Sequence, residues 1–411
     1  MHSPEKPAGA SAPVPVVSER LIIFLVGAIQ FVNVLDFMMV MPLGPDFAAA
    51  LGISTSHIGL VGGSYTAAAA VSGVLGSLFL DRFDRRWALA VAMVGLVVGT
   101  ALGGFATGLT TLLLARIVAG AFGGPATSVS LAVIADAVPP ARRGKAMGAV
   151  MGAFAVASVV GVPVGLELAQ RFTWRAPFFG VAALGLLLVP IAIWLLPPMR
   201  AHLNAPRVTG PRVALFDSMT GLALTNTGLN MLGLFAVVPN ISTFVQHNLG
   251  YPRERIGVLY LIGGAASFVV VRLVGAMVDR FGVTPMVVAG TALYGFALVA
   301  GFVHPVTWLP VTLVFVVFML SSNFRMVPMQ ALASRVPRPE QRARFMSARS
   351  AVQHAASAAG AMLASSVLIA APDGKLIHMD HVAIAALALA LIIPFTVHLL
   401  ERLVRAREAV T

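Results

Sequence analysis

The sequence predicts an all-α integral membrane protein of twelve transmembrane helices, arranged as two six-helix halves. Three observations carry that expectation. Of 411 residues, 58% are hydrophobic and only 11% are charged, whereas soluble domains carry about a quarter charged residues. A soluble chain of this size has too little interior to hide so much apolar surface, so its solvent is lipid. Next, twelve apolar runs reach the length of about 20 residues that a span requires. Finally, the chain repeats itself at an offset of about 198 residues.

The runs are 21–42, 59–80, 87–107, 111–135, 146–167, 176–196, 218–240, 257–278, 286–303, 308–332, 346–371 and 382–400. Short alternating segments of the kind that close a barrel are absent, so the runs are read as helices. The 39 glycines suit close helix packing in lipid. The expected layout is a disordered cytoplasmic tail over 1–20, a first bundle over 21–196 and a cytoplasmic linker over 197–217. A second bundle over 218–400 and a cytoplasmic tail over 401–411 complete it. No signal peptide is read at the start, because the first apolar run has the length of a full span. The chain has no cysteine, which removes disulfides and thiolate metal sites.

The net charge of +12 would suggest nucleic acid in a soluble protein. Here the cations sort by loop. Arg82, Arg85, Arg86, Arg142, Arg143, Lys145, Arg200, Arg207, Arg212, Arg280, Arg335, Arg338, Arg342, Arg344, Arg402, Arg405 and Arg407 fall on one side. They far outnumber Arg171, Arg175, Arg253, Arg255 and Lys375 on the other. Basic loops stay in the cytoplasm, so both termini are expected there, in a bacterial inner membrane. A nucleic-acid partner is not expected, since the loop bias explains the charge; the partners are the bilayer and a small molecule, and a monomer is expected.

The repeat is visible in landmarks. Met41-Pro42 matches Val238-Pro239, Leu51-Gly52 matches Leu249-Gly250, and Ile58-Gly59 matches Ile256-Gly257. Asp81-Arg82-Phe83 matches Asp279-Arg280-Phe281, and Val138-Pro139 matches Val336-Pro337. Parallel halves with a cavity between them are a transporter plan.

Between spans 2 and 3 lies Gly76 to Arg86, with Asp81, Arg82, Asp84, Arg85 and Arg86; between spans 8 and 9 lies Gly275 to Gly282, with Asp279 and Arg280. One such loop would pass as a solvated turn. Two at the repeat offset point to a shared latch, with acids at helix ends and arginines beside them. The stretch resembles the signature loop of the major facilitator superfamily: Gly, three residues, Asp, Arg, one residue, Gly, then two basic residues. The first copy has Ser77 and Asp84 where that pattern has glycine, and the second has Val283 and Thr284 in place of the trailing basics. Asp136, at the end of span 4, stands where the resemblance implies an acid linked to the loop.

Other stretches agree with the resemblance. Arg116-Ile-Val-Ala-Gly120 is similar to the family's Arg-x-x-x-Gly element. Gly161-Val-Pro163-Val-Gly165 resembles its antiporter motif, the alternative being plain helix packing. Phe172 to Phe178 looks like the usual lead into span 6. The nearest likeness is to the twelve-span drug:proton antiporters, near arabinose-efflux-permease-like exporters.

Asp36 is the one acid well inside an apolar run. It lies six residues before Pro42, and Arg116 about six residues into span 4, so both sit about 9 Å below one membrane boundary. An unpaired charge at that depth would cost several kcal/mol, roughly, so the two are expected to pair. Two readings stay open: a proton-coupling carboxylate released from Arg116 by protonation, or a permanent salt bridge between spans 1 and 4. Arg272, Arg325 and His354 form either a basic layer for an anionic group or, for the arginines, snorkelling side chains. Gln30, Asn33, Asn226, Asn230 and Asn323 are candidate cavity amides, and Tyr65 with Met38, Met39 and Met231 a candidate adaptable wall.

No phosphate loop, HExxH or nucleotide-binding domain is present in the sequence, so neither enzyme chemistry nor ATP-driven transport is expected. No cofactor or metal is expected; protons serve as coupling ion. The expected function is proton-coupled efflux of a small organic compound or drug by alternating access. The alternatives are a proton-coupled importer or facilitator of a small organic anion, and a membrane sensor that transports nothing.

Overall fold

The computed structural model describes residues 18–200, 203, 217–337 and 342–409, without the side chains of Ser77, Leu78, Asp81, Pro140, Ala141, Arg342 and Ala343. Most of the expected tail and linker, with Arg207, Arg212 and Arg338, therefore lies outside the described residues.

Among the described residues, twelve long helices form the fold. Spans 1 to 6 are Glu19–Val40, Ile58–Phe79, Arg85–Gly104, Leu109–Ala137, Arg142–Arg171 and Ala176–Leu195. Spans 7 to 12 are Ser218–Asn248, Ile256–Phe281, Val283–Val303, Val311–Arg335, Arg342–Val367 and Met379–Glu408. Eleven of them are apolar enough to cross a membrane by composition alone. The other, span 11, packs between spans 2 and 7 and is rich in Ala and Ser, with Gln353 and His354. Ser357, Ala358, Ala361, Ala364 and Ser365 are buried against those neighbours, while Met346, Leu363 and Val367 are exposed.

Several helices run a few residues beyond or short of the expected runs, and two differences change the layout. Span 12 continues to Glu408, so 401–408 is helix and not a separate tail. Glu401 is only 5% exposed; it accepts the Val283 and Thr284 amides at 3.4 and 3.0 Å and so satisfies the first turn of span 9. The loop after span 11 holds a small antiparallel pair, β1 (Ile369–Ala370) and β2 (Leu376–Ile377), where no strand was expected.

The repeat holds in the backbone. Proline lacks the N–H that would continue a helix, and regular helix stops at Val40 before Pro42 and at Val237 before Pro239. Each half then adds a short helical extension, Gly44–Leu51 in the first and Ile241–Thr243 running into Phe244–Asn248 in the second. Each extension is followed by a left-handed glycine, Gly52 at φ 64° and Gly250 at φ 65°, a conformation that disfavours any side chain.

The arginine-rich loops lie together at one end, called here the basic end. At the opposite end the halves are tied. Arg253 grips Asp46 with two bonds of 2.6 Å. Ser242 donates to the Pro42 carbonyl at 2.9 Å, and Thr55 to the Gly374 carbonyl at 3.3 Å. Gly59 and Gly63 bring span 2 against Ala361 and Ala358 of span 11. One apolar core runs through both halves there, while the basic end of the second half has a core of its own around Val283, Leu332, Phe345 and Val404. Toward the basic end, Val74 and Phe79 of span 2, Phe154 of span 5 and Phe268 and Leu273 of span 8 are exposed. Among the described residues, these hydrogen bonds between the halves gather at the end opposite the basic loops. Exposed Trp194 and Trp308 mark the two membrane interfaces.

Candidate functional site

Span 1 places Asp36 on its buried side because the flanking Leu35, Met39 and Val40 pack into the core. Span 4 runs the other way and presents Arg116 at the same depth. Arg116 donates Nη1 to Asp36 Oδ1 at 2.9 Å and Nη2 to Oδ2 at 3.0 Å. Such two-pronged pairs are stronger and more specific in geometry than single contacts. Thr100 of span 3 adds a bond of 2.7 Å to Asp36 Oδ1. The side chains of Asp36 and Arg116 are 0% and 1% exposed.

A polar network continues from the pair. The Arg116 guanidinium lies over the Tyr65 ring, 4.6 Å from its centre. The Tyr65 hydroxyl donates to Asn33 Oδ1 at 2.9 Å, and Asn33 Nδ2 donates to the Gly123 carbonyl at 3.0 Å and to Thr127 Oγ1 at 2.7 Å. Gln30 reaches the same threonine at 3.4 Å. A methyl at Gly123 would come within 2.1 Å of the Tyr65 hydroxyl, so span 4 closes on Tyr65 only through a glycine. Tyr65 is thus packed inside the first half and does not form an open wall. Phe37 carries the network toward the seam, with ring centres 5.3 Å from Tyr65 and 5.9 Å from Phe235 of span 7. Thr100 and Thr127 were missed by sequence reading; a lone hydroxyl in an apolar run was the available signal.

The expected antiporter motif sits at the seam. Span 5 widens into a π-turn over Ala157–Gly161 and resumes at Val162. Gly161 lies where a methyl would meet Leu35 of span 1 at 2.7 Å, and Gly165 lies beside Met39. Span 8 approaches this stretch through Gly264 over Ser158 and Gly257 near Pro163.

At the basic end, Arg85 pairs with Asp136 at 3.4 Å, and Arg86 donates to the Ile193 and Leu196 carbonyls at the end of span 6. The Asp81 side chain lies outside the described residues, and Arg82 is exposed. Asp84 caps span 3 through the Arg86 amide at 3.0 Å and accepts the Met199 amide and Arg200 Nε, each at 3.1 Å. Burial pushes the Asp84 carboxyl up, but these amide and guanidinium donors outweigh it and hold it below the usual carboxylate range. In the second half Gly282, at φ 90°, stands in the matching place, and Glu401 supplies the carboxylate from span 12. Asp279 and Arg280 are exposed, with Arg280 over Phe281.

The second half scatters the remaining candidates. Asn226 and Asn230 are buried, and Asn226 accepts a bond of 2.5 Å from Thr396 of span 12. Asn323 bonds back to the Met319 carbonyl at 3.3 Å. His354 is half-buried on span 11. Arg272 is exposed, stacked on Phe268 at 4.5 Å. Arg325 does not snorkel: it is 1% exposed, with its guanidinium 3.9 Å from the centre of the Tyr294 ring. Among the described residues no group of three or more metal-ligating side chains gathers.

Comparison with known proteins follows the geometry. The family model described as Major Facilitator Superfamily matches residues 26–224 and again 223–409. A purine ribonucleoside efflux pump of Escherichia coli O157:H7 is 27% identical over 315 residues, covering 69% of this chain and 76% of that protein. A chloramphenicol resistance protein of Streptomyces lividans is 28% identical over 277 residues, covering 63% and 66%. Among solved structures, a bacterial homolog of the human lysosomal transporter Spinster, inward-facing and unoccupied, aligns with a TM-score of 0.70 at 14% identity, covering 94% and 97%. That last likeness concerns the fold.

Proposed function

The chain belongs to the major facilitator superfamily of transporters, and from that premise we propose that it exports a small organic compound in exchange for protons. The basic end is the cytoplasmic one in this reading, following the arginine bias, in a bacterial inner membrane. Relatives named for efflux of purine ribonucleosides and for chloramphenicol resistance support export of a small organic molecule.

The observation that carries the reading is the buried Asp36–Arg116 pair. A proton on Asp36 removes the charge that Arg116 balances. The two-pronged bond is then lost, and a buried guanidinium is left to find another partner. The Tyr65 ring and Asn33 are tied to that guanidinium and to span 4, and Phe37 touches Phe235 across the seam. Protonation at one carboxylate thereby reaches both halves. Arg85–Asp136 and Asp84–Met199 hold the loop between spans 2 and 3 while the halves rock.

A second reading, a fixed brace between spans 1 and 4, draws on the full burial of the pair and on its partners all lying in one half. Asp36→Asn separates the two. In proteoliposomes the coupling reading expects folded protein whose pH-gradient-driven flux of a chloramphenicol or nucleoside probe is lost. Retained gradient-driven flux with reduced thermal stability supports the brace instead.

A further inference from the structure

We propose that Arg325 binds the carboxylate of a small organic monoanion, which makes that class of molecule the substrate; the proposal rests on the transporter reading above and narrows it. Arg325 lies ten residues from Arg335, the end of span 10, and so about 15 Å inside the membrane boundary. It is 1% exposed. An isolated charge at such depth is costly and is normally paired. Among the described residues it makes no ion pair, and its Nε and Nη2 are buried without a hydrogen-bond partner.

Those two nitrogens are the same edge of the guanidinium. Their N–H bonds point in parallel, at the spacing of the two oxygens of a carboxylate. This chain uses that edge elsewhere for that purpose. Arg253 places Nε and Nη2 on the two carboxylate oxygens of Asp46, and Arg335 does the same with Glu408. Arg325 has the edge and lacks the acid.

The surroundings hold the edge in place. Gly290 of span 9 makes room for the arginine stem, since a methyl there would meet Arg325 Cγ at 2.8 Å. The Tyr294 ring supports the guanidinium plane, and its hydroxyl is fixed on the Gly233 carbonyl at 3.2 Å. Arg116 on Tyr65 is the same construction in the first half, but there Asp36 completes it. One turn from Tyr294, the buried Thr291 hydroxyl also has no partner and offers a third polar contact.

The charge balance selects a monoanion. Arg349 is engaged by Thr227 and Gln330, and Arg272 lies exposed on Phe268. Arg325 thus offers one positive charge, which a carboxylate neutralises and a dianionic phosphate would exceed. The edge is closed to solvent in this conformation, so entry of the anion is a step of the transport cycle.

The test uses full-length protein in lipid nanodiscs and reads the thermal midpoint. The probes are a panel of aromatic and aliphatic monocarboxylates, each with its neutral amide and its phosphonate. At least one carboxylate should stabilise the protein with an apparent affinity tenfold or more above its amide and phosphonate. Arg325→Gln should abolish that preference, and Arg325→Lys, which keeps the charge but not the parallel edge, should weaken it about tenfold. The lysine variant also covers failure of Arg325→Gln to fold. No preference for any carboxylate, or an unchanged preference in Arg325→Lys, overturns the proposal. Carboxylate binding without gradient-driven flux leaves this assignment standing and sinks the efflux reading; gradient-driven flux of neutral probes, with no carboxylate preference, does the reverse.

Discussion

Asp46 and Arg253 meet fork to fork across the seam between the halves, with both bonds at 2.6 Å. Asp46 belongs to the extension of span 1, and Arg253 to the turn before span 8. The pair must part whenever that end opens, so it is a brake on alternating access. Both side chains are 23% exposed, and partly exposed pairs contribute about 1 kcal/mol or less.

Asp46→Asn should therefore shift the two access states by a factor of about five or less toward opening at that end. The natural chain has no cysteine, so a single reporter can be added without background. Ser242→Cys, at a site 1% exposed, should react faster with a water-soluble maleimide in the Asp46→Asn background. An unchanged labelling rate would show that the pair does not hold the seam.

Thr100 shares Asp36 Oδ1 with Arg116 and is 1% exposed. Thr100→Val keeps the shape and removes the donor, at an expected loss of about 1–3 kcal/mol for a bond to a charged group. Thr100→Ser should recover most of it. Thermal unfolding of the three proteins in one detergent checks this, and equal midpoints would remove Thr100 from the site.

Gly123→Ala places a methyl 2.1 Å from the Tyr65 hydroxyl and 2.9 Å from Asn33 Oδ1. Spans 2 and 4 must move apart or Tyr65 must leave Asn33. The expected cost is about 1–3 kcal/mol, with a loss of transport larger than the loss of folded protein. Full activity in Gly123→Ala would mean that the Tyr65–Asn33 contact is dispensable.

Asp84 gives the pH dependence. Its carboxyl is held below its ordinary value, so its stabilisation is complete above the unfolded carboxylate pKa of about 4 and is lost as pH falls through the lowered folded value. Asp84→Ala, which removes a cap and the bonds to Met199 and Arg200, should cost about 1–2 kcal/mol at neutral pH. The gap from the parent protein should stay flat from pH 7 to pH 5 and narrow below pH 4. A gap that widens on acidification would contradict the assignment.

Much of the site was legible in the chain. Asp36 stands out because charge is costly in lipid, and counting residues from each boundary picks Arg116 as its partner. Asp84 was legible only as a departure from a glycine pattern. The structure explains it as the carboxylate that caps span 3, a task that Glu401 performs from span 12 in the second half, where glycine is kept. No local pattern links residue 401 to residue 284, because their meeting depends on how spans 9 and 12 pack.

The sequence by itself determined the number of spans, the sorting of basic loops and the duplication, because partition between water and lipid follows composition along the chain. Tertiary structure alone decided which side of each helix meets which neighbour. In lipid an apolar side chain is content facing either the bilayer or another helix, so hydropathy does not encode a helix's rotation. That is why Thr100 and Thr127 emerged as members of the Asp36–Arg116 network only in three dimensions. It is also why Arg325, which sequence reading left between snorkelling and binding, proved to be a buried arginine with one open edge.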